Sequence, residues 1–165
     1  MIEKIIYNMT LFAIIIRANY CENGINFFTD STFSQQLAFM KHPRGKLIQA
    51  HIHQPNQREV IHTQEVLVIR KGSVRVDLYS SEKQYLESHI LRAGDVILLA
   101  SGGHGFEVLE DLEMFEIKQG PFVGIEDKVR FDGVATINVK IVEENKNATA
   151  TNTEKIAFNE NTSSC

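Results

Sequence analysis

His51 and His53 stand two residues apart, and Glu65 and His104 follow further along the chain. Three imidazoles and one carboxylate suit a borderline divalent ion such as Fe, Mn, Ni or Zn, whereas Mg and Ca prefer shells built from oxygen. On a strand, residues i and i+2 leave the same face, so His51 and His53 can reach one ion together. Glu65 opens an apolar run that turns at Lys71-Gly72 into another, which holds a carboxylate near that face if the strands pair antiparallel. His104 lies in Ser101-Gly102-Gly103-His104-Gly105, whose glycines permit close backbone approach and positive φ. The connection Gln54–Gln64 also carries Glu59 and His62. A shell of His53 or His62 with Glu59 or Glu65 is therefore the alternative.

The other polar side chains read differently. His42, before Pro43, and His89, on an alternating strand, read as surface residues. Arg75, Asp77 and Tyr79 alternate with Val74, Val76 and Leu78, the pattern of a half-buried strand with a wet face. Gln49 shares the face of His51 and His53 by period two and, with Lys118, is a candidate substrate contact. Cys21 and Cys165 are the only cysteines, which excludes a disulfide framework or a cysteine zinc site. Neither a thiol with a cue for lowered pKa nor a Gly-x-Ser-x-Gly turn supports nucleophilic catalysis.

Strands must position these groups. Short apolar or alternating runs separated by Gly, Asn, Asp, Ser or Pro extend from Thr10 to about Val142. They predict strands at Leu11–Arg17, Ile25–Thr29, Gln36–Lys41, Leu47–His53, Glu65–Arg70, Ser73–Tyr79, Tyr85–Leu91, Val96–Leu99, Gly105–Leu109 and Glu113–Lys118. Strands at this density predict an all-β barrel or sandwich, because an open sheet of that size leaves aggregation-prone edges.

The length of 165 residues fits one domain, placed at residues 1–142, and the polar stretch 143–165 reads as a tail that can be removed with little loss of stability. A formal charge of −4 without a basic block argues against nucleic acid as a partner. No apolar run approaches the ~18–20 residues of a membrane helix, so a soluble, cytoplasmic protein is expected. The opening MIEKIIYNMTLFAIIIR reads as a strand rather than a leader.

Taken together, the histidines and glycines resemble the two signature motifs of the cupin superfamily. Gly45, five residues, His51-Ile52-His53, then Glu65, six residues and Gly72 follow the first motif, with a lengthened connection before Glu65. Gly94, five residues, Ala100-Ser101-Gly102-Gly103-His104 and Val108 follow the second, one residue short and with Ala and Val in place of the usual Pro and Asn. The likeness spans roughly residues 36–119. It implies a small single-domain cupin: a jelly-roll barrel (double-stranded β-helix) with extra N-terminal strands, enclosing a divalent ion bound by His51, His53, Glu65 and His104. Similar families include sugar-phosphate isomerases, nucleotide-sugar epimerases and oxygenases. The expectation is thus a metal-binding small-molecule enzyme, and the alternative is a non-catalytic module holding a small ligand in the same cavity. Cupins of this kind commonly pair, and the run Phe12–Ile16, apolar on both faces, adds the expectation of a homodimer.

Overall fold

The structure is a computed structural model that describes residues 1–143. Apart from Glu143, the expected tail lies outside the described residues. The chain is all-β: β1 (Ile2–Tyr7), β2 (Thr10–Ile16), β3 (Gly24–Phe27), β4 (Ala38–Lys41), β5 (Glu65–Lys71), β6 (Ser73–Tyr79), β7 (Tyr85–Arg92), β8 (Val96–Leu99), β9 (Gly103–Val108) and β10 (Glu113–Lys118). Two short 3-10 turns, Ile125–Asp127 and Thr136–Asn138, follow. Among the described residues no helix is long and apolar enough to cross a membrane.

The strands form three separate sheets rather than a closed barrel: β1-β2-β8-β5-β10, β7-β6-β9, and the hairpin β3-β4, with antiparallel pairing throughout. Alternation assigns their faces. Leu67 and Ile69 of β5, Ala13 and Ile15 of β2 and Ile97 and Leu99 of β8 point one way, into a core shared with Val74, Val76 and Leu78 of β6. Val66, Ile14, Ile16 and Leu98 point the other way, into a second core that Phe28, Leu37 and Phe39 of the hairpin region cover. The central strands of the larger sheet are buried on both faces. The two-faced apolar run Phe12–Ile16 is therefore satisfied within one chain, and it supplies no surface for a second subunit.

Three expectations about surface residues are corrected here. His89 is 2% exposed, with Nε2 2.9 Å from Glu87 Oε1 and Nδ1 3.7 Å from Glu3 Oε2. Beside it, Arg17 binds Glu3 and Asp95, so a buried polar cluster lies where edge strand β1 approaches edge strand β7. The face of Arg75, Asp77 and Tyr79 is not wet either, since all three are buried. Asp77 accepts from Arg75 Nε at 2.7 Å and from Ser88 Oγ at 2.5 Å. The chain between residues 131 and 142 lies across this face: Tyr79 packs on Phe131 and accepts from Val134 N–H, and Ser88 exchanges backbone bonds with Lys140 and Val142. His42, also expected at the surface, is half-buried.

The strand expected at Leu47–His53 does not form. Residues 43–63 are exposed and carry no strand, and Leu47 and Ile52 remain 81% and 87% exposed. A period-2 pattern becomes a strand only when a sheet edge takes up its backbone donors and acceptors, and none does so here.

Candidate functional site

A cleft of about 790 Å³ opens at one end of the sandwich, between the β1-β2 hairpin, the start of β5, the turn after β6, the start of β9 and residues 127–131. Glu65, the first residue of β5, belongs to the five-stranded sheet, and His104, near the start of β9, to the three-stranded one. Their side chains meet across the sandwich, with His104 Nε2 3.0 Å from Glu65 Oε2. Register explains the meeting: Glu65 pairs with Leu99 and His104 with Leu78, and both of those partners face the shared core.

Local backbone chemistry brings β9 into place. Gly102 adopts φ 71, and a Cβ there would strike the Phe12 ring and the Tyr79 carbonyl oxygen, so only glycine fits. A Cβ on Gly103 would stand 3.2 Å from Phe131 Cζ. The start of β5 is fixed by Gln64, whose N–H donates to Gln119 Oε1 at 2.7 Å and whose Nε2 donates to Ala100 O at 3.4 Å.

Glu65 is 5% exposed at its side chain and surrounded by donors. Besides His104, Lys128 Nζ lies 3.3 Å and Lys118 Nζ 3.8 Å from its Oε1. The hydrogen bond from His104 is the chief cause that holds this carboxyl at about 2 rather than 4.5, against the desolvation that burial imposes. The charge of His104 and the Lys128 contact add to it. Lys118 also binds Glu116 at 3.0 Å, and that bond is the first cause of its raised pKa.

Of the four residues expected to share an ion, the structure brings together Glu65 and His104. The imidazoles of His51 and His53 do leave side by side, with ring centroids 5.1 Å apart, but they lie on the exposed connection and do not line the cleft. Among the described residues, no group of three or more His, Cys, Asp or Glu side chains is placed to hold one ion. In this arrangement Glu65 offers its oxygens to an imidazole and two ammonium groups. His62, the alternative ligand, does line the cleft, whereas Glu59 does not. Of the two candidate substrate contacts, Lys118 approaches Glu65 without lining the cleft, and Gln49 lies on the exposed connection.

The chain matches no family model, no characterised protein sequence and no solved structure. The cupin likeness therefore stands on its motif spacing alone. Lys83 and Phe131 carry no signal in the sequence, and each reaches the cleft through turns or extended chain without a periodic pattern. The remaining wall combines the hydroxyl groups of Thr10, Thr63 and Ser80 with the apolar side chains of Phe12, Ile61, Leu99 and Val129, a mixed lining that suits a small ligand.

Proposed function

We propose that this chain binds a small polar molecule, such as a carbohydrate derivative, in the cleft and moves a proton on it, the chemistry of an isomerase or epimerase. The observation that carries this reading is the 3.0 Å contact between Glu65 and His104 inside a cleft whose wall includes the hydroxyls of Thr10, Thr63 and Ser80. Glu65 stays ionised because its pKa is held at about 2. As an acceptor it favours the His104 tautomer protonated at Nε2, which leaves Nδ1 able to accept a proton. In this reading His104 is the catalytic residue and Glu65 its positioning residue. The test is proton exchange in D2O with a panel of keto and aldo sugars, their phosphates and 2-hydroxy acids, followed by loss of the α-proton signal in NMR. Exchange should fall by roughly 10²–10⁴ in His104→Gln while the melting temperature is kept. Exchange at the wild-type rate in that variant refutes the assignment, and no exchange with any compound makes the protein a non-catalytic binding module.

A second reading, a metal-binding cupin, is favoured by a separate observation. β9 is an edge strand, and its core-facing Phe106 and Val108 are 41% and 58% exposed. Residues 47–53 would cover that edge if they added to it, and period two would then set His51 and His53 on the face of His104. Iron, manganese, nickel or zinc found at stoichiometry in the purified protein, and lost in a His51, His53 double alanine variant, would support this reading. Full metal content in the double variant overturns it.

A further inference from the structure

Glu65 has more cationic partners than its single charge requires. Its Oε2 is taken by His104, while two ammonium groups, Lys118 and Lys128, approach the same Oε1. The two lysines are not equivalent. Lys118 is 26% exposed, is anchored to Glu116 at 3.0 Å and does not line the cleft. Lys128 is 51% exposed and does line it. If Lys128 turned away, Lys118 would still oppose the charge of Glu65 and His104 would still stand beside its Oε2, so releasing Lys128 leaves no buried charge alone.

Other nitrogen donors face the same space from separate segments: His62 from the connection before β5, and Lys83 from the turn after β6, where its ammonium stands 5.8 Å from the centre of the Phe131 ring. Among the carboxylates of the cleft, Glu82 is engaged by the Ser81 hydroxyl at 2.9 Å and Asp127 adjoins Lys128 in the chain.

We propose that the ligand of this cleft carries an anionic group, a carboxylate or a phosphate, and that Lys128 receives it by giving up its contact with Glu65. The inference rests on the cleft being the functional site, as proposed above, and assigns the ligand class and the specificity residue. Asp127 then acts as a negative neighbour that limits affinity.

The test titrates the full-length, isotope-labelled chain with inorganic phosphate and, separately, with malonate, reading the amide shifts of Gly102, Gly103 and Lys128 by NMR. Saturable shifts with phosphate alone identify a phosphoryl ligand, and with malonate alone a carboxylate ligand. Lys128→Met should weaken binding roughly tenfold, Asp127→Asn should tighten it, and Lys46→Met, an exposed lysine outside the cleft, should leave it unchanged. Lys128 and Asp127 are both surface-accessible, so the variants remain folded and comparable. Absence of saturable shifts with either anion overturns the proposal, as does equal binding by Lys128→Met. Anion binding without proton exchange on any compound retains this site and refutes the catalytic reading. Exchange on uncharged sugars without anion binding does the reverse.

Discussion

Glu65→Gln is the most informative single change, because glutamine keeps the shape of the carboxyl and removes its charge. A carboxyl held at about 2 instead of 4.5 contributes linked stability of about 3 kcal/mol at neutral pH. The group is 5% exposed, so solvent screening takes little from that figure. Because the folded-state pKa is depressed, the contribution is complete above about 4.5 and is lost as pH falls toward 2. Urea unfolding followed by circular dichroism should find the variant about 3 kcal/mol less stable at pH 7, a fall in melting temperature of roughly 6–12 °C for a chain of this size. At pH 3 the difference between the two proteins should shrink to less than half of its neutral value. Equal stability at pH 7, or the same difference at both pH values, would show that the donors around Glu65 do not hold its charge and would refute the reasoning.

Other outcomes follow from the packing. Phe28→Ala, which empties the second core beside Tyr20, should cost about 3–5 kcal/mol in chemical unfolding, whereas Phe27→Ala, at a residue 49% exposed on the outer face of the hairpin, should cost far less. Gly102→Ala should destabilise by at least about 2 kcal/mol, since the new methyl meets the Phe12 ring and the Tyr79 carbonyl at a positive φ; a neutral result in thermal melting would contradict that crowding. Among the described residues, limited trypsin digestion should cut first at Arg44, Lys46 or Arg58 on the exposed connection, and a first cut inside a β-strand would contradict the placement of residues 43–63. If the metal reading holds, added zinc should protect those same bonds.

Most strands were legible because their patterns are local. Ser73–Tyr79, Val96–Leu99 and Glu113–Lys118 have the expected limits, set by Gly72, by the turn Ala93-Gly94-Asp95 and by polar residues at their ends. The β1 strand escaped separate notice because Asn8 and Met9, with φ 48 and 61, make a two-residue turn inside what reads as one continuous stretch. Burial of Tyr79 and Ser88 could not be read locally, since the cover comes from residues more than forty positions away. His104 and Glu65 were legible as partners by residue type and by the glycines that frame β9. The placement of Leu47–His53 was not, because its alternation says which face would be buried and nothing about whether an edge accepts it.

The order of the five-stranded sheet also bears on how the protein is made. β2 is made before its inner neighbour β8, and about 80 residues separate Ile16 from Val96. At ~5–20 residues per second on the ribosome, Leu11–Ile16 waits roughly 4–16 s for the strand that completes its pairing. Until then the run has only the β1 edge beside it, although the residues that cover its two faces, Phe28, Leu37 and Phe39 and then Val74, Val76 and Leu78, are made in the interval. The nascent chain thus carries an apolar strand with one open edge until about 80 further residues are made, a demand for protection written into the strand order rather than into the finished surface.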